Sequence, residues 1–500
     1  AAGFFGVAMN YQGLDDSKAS ALCPVVVIPS HNVKEIPLAS AQRTSESHNR
    51  GRKLNQMISH LLLQSSRTNP LLSYPVIYLF APVTLIGLLA KTLLPKTQHH
   101  LVTSIANKVS PPVATQLNFT ANDSDTIATP EQPKLGFTNI EQADRVTNLL
   151  RVMGLTNVFA PLVVLFGHGS TSLNNPHEVA HNCGACSGGH GGPNARIFSA
   201  MANRAEVRKL LAERGITIPQ DTWFIGAEHD TCNENIDWYD LSELPTALQP
   251  AFNKLQRELT HTRQLSAHER CRRLMSAPRN PSPKAALEHI ENRAADFSQS
   301  RPELGHATNA AAVVGRRALT QGIFFDRRVF LISYDPTQDP EGKILEGILL
   351  AVGPVGAGIN LEYYFSSTDN DRFGCGTKVP HNITGFFGIM DGTSSDLRTG
   401  LPLQMTEVHE AMRLQLLVEA KPSVLEQIYE RQESLRELIA GGWLHLSTKD
   451  PDNGDIHVFE RGTGFVLWEG DTEELPTYQK SPACYKDKSE PVSPALIKQL

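Results

Sequence analysis

Residues 158–166 run Val-Phe-Ala-Pro-Leu-Val-Val-Leu-Phe without a charge, and the chain passes directly into Gly167-His168-Gly169-Ser170. A short continuous apolar run is what a parallel strand buried on both faces requires. Its surroundings define the layer. Residues 140–153 put Val146, Leu149, Leu150 and Met153 on one face by three-and-four spacing, which predicts a helix before the strand. Residues 203–213 predict another after it, with Asn203 as cap, Glu206 three positions on and Gly215 as stop. Residues 223–227, Trp-Phe-Ile-Gly-Ala, form the next strand. Helix, strand, helix, strand at this spacing predicts an α/β fold of mainly parallel sheets flanked by helices.

Composition permits that fold and excludes others. Of 500 residues, 40% are hydrophobic and 20% charged, ordinary globular usage that argues against disorder or a fibrous repeat. The length is a prior for two to four domains. A net charge of −6 and a pI near 6.3 give no electrostatic reason to expect a nucleic-acid partner. The seven cysteines (23, 183, 186, 232, 271, 375 and 484) are odd in number and sparse, which points to a reducing compartment rather than a secreted disulfide framework. The opening Ala-Ala-Gly-Phe-Phe-Gly-Val-Ala-Met has no basic region before an apolar one, so it is no signal peptide. It reads as the middle of a fold.

Residues 71–90, LLSYPVIYLFAPVTLIGLLA, carry no charge and are about long enough to cross a bilayer. Pro75 and Pro82 interrupt them, which predicts a buried or surface-seeking helix pair rather than a span, open to contact with a membrane or a membrane partner. Residues 120–136 read as an exposed connection. From 248 to 300 the pattern is helical, and Arg257, Arg263, Arg270, Arg272 and Arg273 read as a solvated face. Strand signals return at 323–325 and 329–334 and continue to about residue 470. The expected division is 1–245, a helical connection over 246–310, a second α/β domain over 311–480, and a loosely held polar tail over 481–500. The echo between Gly3-Phe-Phe-Gly-Val-Ala-Met9 and Gly385-Phe-Phe-Gly-Ile-Met390 suggests that the second unit duplicates the first.

The chemistry lies around the first strand. His168 directly follows it, at the carboxyl edge of a sheet, where open α/β folds place their sites. Cys183 comes fifteen positions later, before the glycines at 184, 188, 189, 191 and 192 and a helix starting near Pro193. Imidazole and thiolate are both good zinc ligands. Glycines permit close backbone approach. His168 and Cys183 are therefore the candidate metal ligands, with Cys186, His181 and His190 as loop or surrounding residues. Glu228-His-Asp-Thr-Cys232 follows the next strand, but neighbouring side chains on an extended chain point opposite ways, so hydrogen bonding and sheet capping fit it better. Cys183 and Cys186 could also be a redox pair, although thioredoxin-like motifs precede a helix directly. The absence of Gly-Lys-Ser/Thr excludes a Walker-type phosphate loop.

The chain contains the longer motifs His168-Gly-Ser-Thr-Ser-Leu-Asn-Asn-Pro176, Asn182-Cys-Gly-Ala-Cys186, Gly191-Gly-Pro-Asn-Ala195, Asn360-Leu-Glu-Tyr-Tyr-Phe365, Arg372-Phe-Gly374, Gly376-Thr-Lys-Val379 and Asp396-Leu-Arg-Thr-Gly-Leu-Pro-Leu-Gln404. Together they resemble the DabA family, the large soluble subunit of the DAB inorganic carbon transporters, distantly similar to β-carbonic anhydrases. The resemblance covers essentially the whole chain and implies a β-carbonic-anhydrase-like unit. In that family zinc is held by Cys and Asp of a Cys-x-Asp-x-Arg-Ser-Glu motif, then by a His and a Cys that map onto His168 and Cys183. The carbonic anhydrase spacing would instead approximate His181, off by one position. No Cys-x-Asp-x-Arg occurs in this chain. In the family that motif precedes Gly-Phe-Phe-Gly, so two ligands are expected upstream of Ala1, and these 500 residues alone are expected to bind zinc weakly or not at all. The resemblance implies hydration of CO2 to bicarbonate beside a DabB-like, antiporter-type membrane subunit, on the cytoplasmic side of a bacterial inner membrane. Two other readings stay open: a non-catalytic, zinc-stabilised scaffold and a Cys-x-x-Cys redox protein.

Overall fold

Alternate residues in the first strands turn inward, the period of a half-buried sheet. Met9, His31 and Val33 are buried while Asn10, Asn32 and Lys34 are not. These strands are β1 (Met9–Gln12), β2 (Ser20–Leu22), β3 (His31–Pro37), β4 (Thr115–Asn118) and β5 (Lys134–Leu135). They order as β2-β1-β3-β4, with β5 also paired to β3. The computed structural model describes the chain apart from residues 1–5, 25–26, 66–67, 123–127, 172–181, 297–298, 300, 375, 377–399, 471 and 499–500.

Between β3 and β4 the chain makes a helical excursion: α1 (Gln42–His60), α2 (Pro70–Leu93) and α3 (Pro95–Val109). Asn69 caps α2 by accepting from the Leu71 N–H at 3.0 Å, and Pro70 supplies a preset first turn. The expected pair of helices is one continuous helix with Pro75 and Pro82 inside it. Each proline removes one backbone donor from the helix ladder, and the helix nevertheless continues through both. α2 is also exposed rather than buried.

The site-bearing layer follows. Thr138 and Glu141 form a capping box at the start of α4 (Asn139–Met153), and Gly154 ends it in the left-handed conformation. Val146 and Leu150 are buried on the expected face. β6 (Leu162–Gly169) starts four residues later than the apolar run, because Pro161 cannot donate to a ladder, and it continues through His168. Next come α5 (Gly192–Asn203), α6 (Ala205–Glu213), β7 (Trp223–Asp230) and β8 (Ile236–Trp238). β6 pairs in parallel with β7 from Leu162↔Trp223 to Gly169↔Asp230, and β8 closes the sheet antiparallel. Asn203 is not the cap of α6. It ends α5, Arg204 is extended, and the Asn203 amide bonds both backbone groups of Phe224, donating to its carbonyl at 2.8 Å and accepting from its N–H at 3.0 Å.

One core joins both sheets: Met9, Leu22 and Val33 pack with Val146, Leu150, Ile197, Phe198, Leu211 and Phe224. Arg196 on α5 ties the same layers together. Its guanidinium holds Asp240 through two bonds of 2.8 and 2.6 Å and Glu35 on β3 at 2.9 Å.

Two long helices follow, α7 (Gln249–Cys271) and α8 (Pro283–Ala295). The arginines of this stretch are not all solvated. Arg270 is buried, bonding the carbonyls of Thr231 and Pro302, and Arg272 pairs with Asp326 and Arg273 with Glu410. The last sheet is β11-β9-β12-β13-β14-β15. It comprises β9 (Ala311–Gly315), β11 (Val329–Ser333), β12 (Leu414–Glu419), β13 (Leu444–Lys449), β14 (Ile456–Glu460) and β15 (Gly464–Leu467), with α9 (Lys343–Thr368), α10 (Pro422–Arg431) and α11 (Glu433–Ala440) beside it. Its first four strands are parallel and its last two antiparallel. A small sheet joins β10 (Ile323–Phe324), β16 (Thr477–Tyr478) and β17 (Ala495–Ile497). The fold is thus α/β, and among the described residues each of the four sheets combines parallel with antiparallel pairs where mainly parallel sheets were expected.

The C-terminal stretch, expected to be loosely held, is tied to the body. Cys484, Tyr485, Val492 and Ala495 are buried, and the Val492 N–H donates to Asp326 at 2.9 Å. Residues 385–390, half of the internal echo, lie outside the described residues.

Candidate functional site

The site forms where β6 and β7 end side by side. Gly167 and Gly191 explain the glycines best. A Cβ on Gly167 would lie 2.1 Å from the Gly191 carbonyl carbon, and one on Gly191 would lie 2.6 Å from the His168 nitrogen. The glycine-rich turn therefore runs against the strand, sealed by the Gly191 N–H donating to the His168 carbonyl at 2.8 Å. This contact brings the Cys183 segment back to His168.

Cys183 sits at the mouth of a 3-10 turn (Gly184–Cys186) and bonds Gly189 through its N–H at 3.0 Å. Its thiol is lowered to about 6. The Cys186 thiol donating to it is the largest cause. Burial opposes the shift, while the charge of His168 and the N–H groups of Cys186 and Ala185 assist it. Cys186 is correspondingly pushed up and keeps its proton, with Asn194 donating to its sulfur at 3.3 Å. Neither cysteine is bridged. Cys183 is thus the more acidic thiol of the two, and the thiolate is the form that binds metals.

His168 is held from the other strand. The Thr231 hydroxyl lies 3.5 Å from its Nδ1 and donates to Glu303 at 2.8 Å. The Ser170 hydroxyl donates to the second oxygen of Glu303 at 2.8 Å, and Arg301 donates to Ser170 at 2.7 Å and to Glu303 at 3.1 Å. Burial would raise the Glu303 carboxyl, but Arg301, His168 and the two hydroxyls hold it down at about 2. Glu303 and Arg301 belong to this site although no motif in the sequence points to them. They come from a loop more than a hundred residues away, and Arg-Pro-Glu has no local signature.

The other candidates are engaged elsewhere. His190 pairs with Glu228 at 2.7 Å, and Glu228 also accepts from the Gly192 N–H at 3.0 Å at the start of α5. His229 pairs with Glu234 at 2.7 Å. Asp230 accepts from the N–H groups of Thr171 and Cys232 at 3.2 and 2.9 Å. Cys232 is buried, which pushes its thiol well up. His181 lies outside the described residues. Among the described residues, no three His, Cys, Asp or Glu side chains converge as a metal site. Zinc normally takes three or four protein donors, so His168 and Cys183 amount to half a donor set.

Over residues 1–444 the sequence matches the family described as "Probable inorganic carbon transporter subunit DabA". The chain belongs to the DabA family. Relatives bearing that same description include the proteins of Methylococcus capsulatus, 55% identical over 497 residues, and Dechloromonas aromatica, 51% identical over 497 residues. The Nitrosococcus oceani protein is 48% identical over 513 residues. Each alignment covers 99% of this chain but 46%, 49% and 46% of the relative. The chain thus spans about half the length of these DabA proteins. No solved structure matches it.

Proposed function

We propose that this chain carries part of a zinc site in a soluble inorganic carbon uptake subunit that hydrates CO2 to bicarbonate. The observation that carries this reading is the lowered Cys183 thiol, within reach of the His168 charge, on a turn whose Gly191 N–H bonds the His168 carbonyl at the carboxyl edge of a parallel strand pair. His168 and Cys183 would hold the metal. The Cys and Asp of a Cys-x-Asp-x-Arg motif, absent from this sequence, would complete the set from the remainder of the protein. When bound, zinc would supply the Lewis acidity that makes water a nucleophile near neutral pH. The chain's own residues do the positioning: Thr231 and Glu303 hold His168 from the Nδ1 side, and Arg301 balances the carboxylate.

The parallel pair, the glycine turn and the helix after it support a β-carbonic-anhydrase-like unit, and one core lies within residues 1–245 and another within 311–480, while a third packs residues 267–307 against residues 363–408. The partner in this reading is a DabB-like, cation-translocating membrane subunit, with this chain peripheral on the cytoplasmic face of the inner membrane. The split between Cys183 and Cys186 favours a second reading, since a low-pKa thiol beside a protonated one is also the arrangement of a dithiol redox pair.

Zinc content and bicarbonate uptake of the full-length protein with its membrane partner distinguish the readings. His168→Ala and Cys183→Ser should each lose zinc and uptake, while Cys186→Ser should keep most of both. Zinc retained with uptake unaffected by His168→Ala contradicts the catalytic reading. Loss of function in Cys186→Ser as complete as in Cys183→Ser supports the redox one.

A further inference from the structure

Helix α2 is apolar on every side and covered on none. Successive helix residues are about 100° apart, so Ile77, Tyr78, Leu79 and Phe80 sweep a full turn, and they expose 59, 68, 70 and 39% of their surface. Val83, Ile86 and Leu89 continue the pattern, and Met57, Ile58 and Leu61 extend it onto the outer part of α1 and the residues after it. A surface helix of a soluble protein shows one apolar stripe, and a helix apolar all round belongs in a core or in lipid. The other long apolar helix, α9, has its core: Leu345, Leu349 and Ala357 are buried in it.

Charge identifies the occupant. From residue 47 to residue 122 there is no Asp or Glu but there are seven Lys or Arg, a formal +7 within a chain of −6. Arg50, Arg52 and Lys53 precede α2, and Lys91, Lys96 and Lys108 stand at its end and beyond, with Arg52 and Lys96 met within the protein by Asp15 and Glu291. Basic residues flanking an apolar segment match an anionic lipid surface. A groove on a protein would cover one stripe of the helix, whereas acyl chains cover all sides.

Topology sets the mode of entry. Gly51 on α1 packs so closely on the end of α3 that a Cβ there would lie 2.0 Å from the Val109 carbonyl oxygen, and His48 Nδ1 stands 2.9 Å from the Pro111 carbonyl. Lys96 pairs with Glu291 of α8 at 2.5 Å. The excursion therefore leaves the body and returns to it on one side. The outer half of α1, with exposed Lys53, Asn55, Gln56 and His60, is too polar for hydrocarbon. Thr84 and Thr92 donate their hydroxyls to carbonyls within α2, at 2.9 Å from Ala81 and Leu88, and so need no outside partner in lipid.

We propose that α2 inserts into one leaflet of an anionic bilayer as a monotopic anchor, with the basic flanks at the headgroups. The inference stands independently of zinc and carbon chemistry, and its test uses neither. The full-length protein is floated with protein-free vesicles of phosphatidylcholine alone or mixed with phosphatidylglycerol. It should float with the anionic vesicles, weakly with the neutral ones, and less well at high salt. The variant Ile77→Asn/Leu79→Asn/Val83→Asn changes only exposed side chains and should lose flotation, and Lys53→Glu/Lys91→Glu should reduce low-salt binding to the high-salt level. A polarity-sensitive dye on Val83→Cys should shift to the blue with anionic vesicles only. Failure to float, or equal flotation of the triple variant, overturns the proposal. So does binding to native membranes without binding to protein-free vesicles, which would assign the helix to a protein partner.

Discussion

Glu303 is the residue on which the site's electrostatics turn. Its carboxyl is held at about 2, against an ordinary value near 4.5. The folded state therefore binds this proton less readily than the unfolded one. The associated stability is complete above about pH 4.5 and is lost as the pH falls through the interval down to about 2. Its size is on the order of 3 kcal/mol at neutral pH. Glu303→Gln should lower stability at pH 7 by an amount of that order, and its denaturation midpoint should fall less steeply than wild type between pH 4.5 and 2. Urea titrations over that range check both, and parallel pH profiles for the two proteins would contradict this account of Glu303. His168 and Cys183 were legible in the sequence because both sit at the punctuation of an element, a strand end and a glycine turn. Glu303 was not, because its bonds to Ser170 and Thr231 cross 133 and 72 positions and leave no periodic trace.

Among the elements, the contact between β6 and the glycine turn decides whether the site exists. Gly167→Ala places a methyl 2.1 Å from Gly191 backbone, with no flexible side chain to yield. The strand and turn must separate, at a cost of about 1–3 kcal/mol typical of overpacking. The variant should melt earlier and lose zinc together with His168–Cys183 proximity, whereas Gly184→Ala, with nothing within 4 Å, should do neither. Thermal melts and metal content of the two variants make the comparison, and equal behaviour would show that the approach is not what positions Cys183. The same layer shows where pattern reading stops. β6 and α4 follow from runs and spacing that only one structure satisfies. Asn203 has the chemistry of a cap, yet its amide serves Phe224 on β7, because a short polar side chain at a helix boundary can bond either its own helix or a neighbouring strand. Pro75 and Pro82 read as breaks, but α2 absorbs both.

For the whole molecule, three cores and a body stitched by buried arginines present two surfaces of opposite character. One is a polar sheet edge carrying half a metal donor set, and the other is an apolar, basic-flanked helix. The arginine stitching was illegible because a charged residue in a helical pattern reads as solvated until its partner is known, and the partners of Arg270 and Arg196 lie on distant elements. In the proposed zinc reading, the two further donors would come from the remainder of a protein about twice this length. X-ray absorption at the zinc edge of the full-length protein tests this most directly. The account predicts stoichiometric zinc with two sulfur neighbours near ~2.3 Å beside nitrogen and oxygen. One sulfur should be lost in Cys183→Ser and the imidazole signature lost in His168→Ala. A shell unchanged by both substitutions, or no bound zinc at all, would contradict it.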